Sequence, residues 1–87
     1  MDEDPQTEEP WQEILDFERE WWRLSVPKEA AVRERFHMSA ARYYHLLNRV
    51  IDRPDALRYD PMLVRRLRRL REARRRKRFA KRLGLNG

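Results

Sequence analysis

Residues 29–48 read EAAVRERFHMSAARYYHLLN, from Glu29 to Asn48. Two short helices joined by a three-residue turn would use this pattern, the helix-turn-helix template. With Glu29 as the first of twenty positions, the fourth, eighth, tenth, fifteenth and eighteenth are Val32, Phe36, Met38, Tyr43 and Leu46. All five are apolar or aromatic, as needed where the pair packs on itself and on a third helix. The fifth position, ordinarily small because the helices cross there, is Arg33. The ninth, ordinarily Gly because the turn prefers positive φ, is His37. His is among the residues that enter the left-handed region at modest cost. Ser39 is the expected cap of the second helix.

Working outward, the N-terminal side predicts an acidic tail over residues 1–6 and a helix capped by Thr7. Glu8 and Glu9 suit its first turn, where the helix dipole favours anions, and Pro10 is tolerated there. That helix is expected to reach about residue 24, with Ile14, Phe17, Trp21 and Leu24 on one face, widened by Trp11, Leu15 and Trp22. Trp21 and Trp22 differ by about 100° around the helix, so one belongs at the rim, its indole N–H on a partner. Ser25 or Val26 is the expected cap of a second helix over 27–36, with Pro27 in its first turn. A third helix is expected over 40–51, its inward residues Tyr43, Leu46 or Leu47, and Val50.

On the C-terminal side, Asp52-Arg53-Pro54 stops the third helix, and residues 54–58 suit one short turn. Asp60-Pro61 is a start signal: a capping Asp followed by Pro at the first helical position. Leu63, Leu67 and Leu70 mark a stripe that fades after Ala73, with Phe79 and Leu83 placed to resume it. Gly84 suits the C′ position. No segment alternates with period two, so the expected fold is all-α. The expected organisation is an acidic flexible tail over 1–9, a helix-turn-helix core of three helices over 10–58, and a long Arg-rich C-terminal helix with a short tail over 59–87.

Charge is divided along the chain. The 87 residues carry 21 Lys plus Arg and 15 Asp plus Glu, a net +6. Residues 1–20 sum to −8, residues 21–60 to +3 and residues 61–87 to +11. Such asymmetry implies a polyanion-binding end and an acidic end. Twelve positives in the last 27 residues repel one another until a polyanion or the acidic end neutralises them.

The functional expectation is double-stranded DNA, with the third helix in the major groove. Periodicity exposes Ser39, Ala40, Ala41, Arg42, Tyr44, His45 and Asn48 for base reading. Arg pairs bidentately with guanine and Asn with adenine; Ser39 and Tyr44 suit phosphates or a thymine methyl. Ala40 and Ala41 permit close approach. Phosphate contacts are expected from Arg49, Arg65, Arg66, Arg68, Arg69, Arg71, Arg74, Arg75, Arg76, Lys77, Arg78, Lys81 and Arg82, giving affinity without sequence information. One domain offers a small interface, so useful specificity calls for a homodimer. Two rivals remain: a protein-interaction module docking on RNA polymerase or another transcription factor through the Trp-rich acidic first helix, and RNA binding by the Arg-rich helix. The acidic N-terminus is expected to fold back on the Arg-rich helix when DNA is absent.

Other classes are excluded on residues. With no Cys there is neither disulfide nor thiolate metal site, and a reducing cytoplasm fits. His37 and His45 have no acid spaced to orient them, and both Gly are terminal, so neither a catalytic pair nor a phosphate loop is expected. No enzyme, metal or cofactor is expected. No apolar run spans a bilayer, and the N-terminus holds no apolar signal region. A membrane-surface helix wants aromatics on its apolar face; here Phe79 stands alone.

The linked motifs Ile14–Arg19 (Ile-Leu-Asp-Phe-Glu-Arg), Trp21–Arg23, Phe36–Tyr44, Leu47-Asn48, Asp52–Pro54 and Asp60–Leu67 are similar to a family of short basic actinobacterial proteins catalogued as a domain of unknown function. The resemblance covers about residues 14–83. Family members usually carry Gly where His37 stands. The resemblance implies a cytoplasmic protein of an actinobacterium or its phage, with nucleoid-associated or regulatory DNA binding.

Overall fold

The computed structural model describes residues 9–84. They form α1 (Trp11–Glu20), a 3₁₀ turn (Trp21–Arg23), α2 (Lys28–Phe36), α3 (Ala40–Val50), α4 (Pro54–Tyr59) and α5 (Pro61–Arg82). No strand occurs among the described residues, and the fold is all-α.

α1 is shorter than expected at both ends. Pro10 sits at the N-cap rather than in the first turn, with φ −77° and ψ 62°, and its carbonyl accepts from the Ile14 N–H. Thr7, the expected cap, lies outside the described residues. At the other end the chain tightens into the 3₁₀ turn, which accommodates two adjacent indoles. Trp21 is half-buried against the core, and Trp22 stays 62% exposed. Its indole N–H donates to the Arg19 carbonyl at 2.9 Å, the rim arrangement anticipated for one of the pair. Leu24 is consequently off the buried face and exposed.

α2 starts one residue late. Pro27, extended at φ −61° and ψ 151°, is itself the N-cap. The α2–α3 turn follows the template. His37 adopts φ 57° and ψ 42°, and its N–H closes α2 on the Arg33 carbonyl at 2.9 Å. The left-handed region is the one a turn Gly enters freely. Ser39 Oγ then accepts from the Arg42 N–H at 3.2 Å, capping α3. Arg33, at the nominal crossing point, is exposed.

The core draws on every helix: Ile14, Leu15 and Phe17 from α1; Ala31 and Val32 from α2; Tyr43, Leu46, Leu47 and Val50 from α3, then Ile51; Ala56 from α4; Leu63 and Val64 from α5. Phe36, Met38 and Leu67 are half-buried against it. Leu63 and Val64 make the first turns of α5 part of the core, which is larger than a three-helix unit. Asp60 starts α5 as expected, its carboxylate accepting from the Leu63 N–H at 3.3 Å with Pro61 at the first position.

At the centre a buried carboxylate is satisfied from two sides, by a hydroxyl and by an ammonium. Glu18 is 5% exposed. The Tyr43 hydroxyl donates to its Oε2, and Lys28 Nζ lies 2.9 Å from the same oxygen. Burial, then the Glu18 charge, push the Tyr43 hydroxyl far above its usual range, so it remains a donor. Lys28 also lies 4.9 Å from the Trp21 ring centroid and 5.0 Å from that of Tyr44, inside cation–π range. α4 is held to α1 by Trp11 packed edge-on against Tyr59 and by the Tyr59 hydroxyl donating to Asp16 at 2.9 Å.

Past Leu70 α5 leaves the core, and residues 72–79 are all exposed. Phe79 and Leu83 do not resume the apolar stripe; they are 59% and 56% exposed. At about 100° per residue Phe79 stands some 160° around the helix from Leu63. Gly84 closes the helix at φ +76°, as expected of a C′ glycine. The free half of α5 gives the described residues their long axis, 52 × 31 × 24 Å.

Candidate nucleic-acid interface

α3 has a core face and a solvent face. Tyr43, Leu46, Leu47 and Val50 are buried, while Ala41, Arg42, His45, Asn48 and Arg49 are exposed. Of the expected base-reading set, Ser39 is exposed at the cap, and its hydroxyl proton remains free to donate while Oγ accepts from Arg42. Ala40 is half-buried. Tyr44 sits apart from the outward face: it is half-buried, with its ring centroid 5.4 Å from that of Tyr43. The outward face therefore runs Ala41, His45 and Asn48 along its middle, with Arg42 and Arg49 on one flank and Tyr44 on the other.

The arginines of α5 divide into two groups. Arg68 Nε donates to the Ile51 carbonyl at 2.6 Å. Arg71 reaches the Asn48 carbonyl at 3.2 Å and forks onto the Asp52 carboxylate at 2.8 and 3.1 Å. These two satisfy carbonyls and a carboxylate at the C-terminal end of α3, groups a helix end otherwise leaves open, and so hold α5 against α3. They leave the expected phosphate set for that reason. The hydrogen bond from Arg71, then its charge, hold the Asp52 carboxyl below its ordinary range.

The rest face solvent. Arg65, Arg66, Arg69, Arg74, Arg75, Arg76, Lys77, Arg78, Lys81 and Arg82 are all exposed. Among them Arg75 alone has an ion-pair partner within the described residues, a loose Glu72 contact at 3.7 Å. On α3, Arg49 is paired with Glu9, which also lies 3.5 Å from Arg53. The first described acid of the N-terminal segment thus meets α3 and the loop after it, not the Arg-rich helix. The acids before it lie outside the described residues.

One feature escaped the sequence reading. A cleft of about 630 Å³ opens between the Trp21–Trp22 turn, the Tyr44–Asn48 flank of α3 and α5. Leu47, Ile51, Leu67 and Leu70 are among its apolar lining, and Arg66, Arg74 and Arg78 of α5 line it as well. No chain-local signal marks it, because its walls come from segments far apart in sequence.

No group of His, Asp and Glu able to hold a metal ion occurs among the described residues. His37 is the turn residue and His45 stands exposed on α3. Among the described residues no helix is long and apolar enough to cross a membrane.

A family described as protein of unknown function (DUF3263) matches residues 7–79. No curated protein and no solved structure matches the chain.

Proposed function

We propose that the chain, which belongs to the DUF3263 family, is a double-stranded DNA-binding protein acting as a transcription regulator or nucleoid-associated protein. α3 enters the major groove and the free half of α5 clamps phosphates. The observation that carries this reading is the division of α3: one face sealed in the core, the other bearing Arg42, His45, Asn48 and Arg49 in solvent. Arg42 and Asn48 have the donor patterns that read guanine and adenine edges. The exposed residues Arg74, Arg75, Arg76, Lys77, Arg78, Lys81 and Arg82 supply the sequence-independent part. The chain works in this reading without metal, cofactor or catalysis, in the cytoplasm at the nucleoid, and a homodimer would double the footprint.

A titration of duplex DNA, random and genomic, at several salt concentrations tests it. Neutralising roughly six phosphates gives a log-affinity slope near −5 against log salt. A slope near zero, or no binding at low salt, overturns it. Docking on the transcription machinery keeps one supporting observation, the exposed Trp22. Trp11 and Trp21 are packed against the core, which weakens that reading.

A further inference from the structure

We infer that the cleft between the Trp21–Trp22 turn, the flank of α3 and α5 is a site for an unpaired nucleotide of a single-stranded nucleic acid. The cleft shares Asn48, Arg74 and Arg78 with the proposed duplex contacts, but its Trp22 and Leu70 surface lies outside them, so the inference does not rest on duplex binding.

Size comes first. At about 630 Å³ the cleft falls among small-ligand sites and suits one nucleotide better than the long groove a docked helix requires. Its chemistry is that of a stacking platform beside a cationic rail, the combination that holds single strands. Trp22 is 62% exposed, yet its indole N–H is already engaged by the Arg19 carbonyl and the Arg23 guanidinium lies 5.2 Å from its ring centroid. What remains for a ligand is ring surface, not a donor, and ring surface stacks on any base. Leu70, 45% exposed, adds apolar surface from α5.

Along the same face of α5 the lining becomes cationic. Arg74 and Arg78 are one turn apart, about 6 Å along the axis, a step comparable to that between successive phosphates of an extended strand. Neither has an ion-pair partner among the described residues. Just before them, Arg71 carries a buried Nε–H with no hydrogen-bond acceptor among the described residues, a group that buried polar chemistry ordinarily satisfies. The one carboxylate in the lining, Glu18, has its charge offset by Lys28 and accepts a hydrogen bond from the Tyr43 hydroxyl, so its repulsion of a phosphate is small. An acidic peptide would meet the same arginines, but the flat, donor-spent indole favours a base.

The test uses the full chain with fluorescein-labelled dT10, U10 and a duplex at one salt concentration, together with the ¹H–¹⁵N spectrum of the indole groups. The expected result is that either single strand shifts the Trp22 indole signal, the affinity ratio of dT10 to U10 identifying the sugar. Trp22→Leu should weaken single-strand binding about tenfold, the loss of one stacked base, and leave duplex affinity within about twofold. Leu70→Glu should do the same and stands in if the first variant melts early. The inference is overturned if both oligonucleotides leave the Trp22 signal in place, if a Trp-containing oligo-glutamate shifts it and dT10 and U10 do not, or if the variants weaken duplex and single strand equally. Loss of duplex binding alone would count against the duplex reading and not against this site.

Discussion

The Arg71 guanidinium grips the Asp52 carboxylate through both terminal nitrogens, at 2.8 and 3.1 Å, and reaches the Asn48 carbonyl as well. One side chain thereby ties the end of α3 to the middle of α5. The angle at which the Arg-rich helix leaves the core is set at this point, together with Arg68 on Ile51. The contact is an orienting device more than a source of stability, since Asp52 is largely exposed and such pairs contribute roughly 0.2–1 kcal/mol.

Asp52→Asn should therefore lower stability by no more than about 1 kcal/mol, with a defined pH dependence. Arg71 holds the folded Asp52 pKa below its ordinary value. A depressed carboxyl contributes stability that is present above the unfolded pKa and lost as pH falls through the folded one. Thermal melts of wild type and variant should differ at neutral pH and converge in strong acid. A gap unchanged in acid would contradict the pairing.

Tyr43→Phe tests the buried carboxylate. Removing the hydroxyl leaves Glu18 with Lys28 alone in a site 5% exposed. Leaving a buried acceptor short of its donor costs about 1–3 kcal/mol, measured by urea unfolding. A variant as stable as wild type would mean that water reaches Glu18.

The two DNA roles separate by mutation. Arg42→Ala should cost about 1–3 kcal/mol at one site and relax preference there, whereas Arg75→Ala should weaken all sequences alike and reduce the salt slope by about one. Binding curves on a specific and a random duplex check this. Identical behaviour of the two variants would mean that α3 does not read bases.

Glu9 holds Arg49, an expected phosphate contact. Deleting residues 1–9 should free it and remove five carboxylates, tightening non-specific DNA binding at low salt. Unchanged affinity at low salt would contradict a competing role for the acidic segment.

Much of the fold is legible in the chain because it is encoded locally. Asp60-Pro61, Ser39 and His37 act on their own backbone, and each does in the structure what its chemistry requires. The α1 end is less legible, because two adjacent Trp compete for one face and the backbone tightens to resolve them. Glu18 is hidden in the sequence: it follows Phe17 on a helix rich in acids, and only Tyr43, twenty-five positions on, makes its burial tolerable. Arg68 and Arg71 look like any other member of the basic run. Their separation from the phosphate set depends on Ile51, Asp52 and Asn48 arriving beside them. The cleft is likewise a product of assembly.

The most direct test follows backbone amide shifts of the full chain as duplex DNA is added. Groove insertion predicts that the largest changes fall on residues 39–49 and on 74–82, with the α1 and α2 amides little moved. Changes confined to the Trp21–Trp22 turn and α1, with α3 undisturbed, would contradict it.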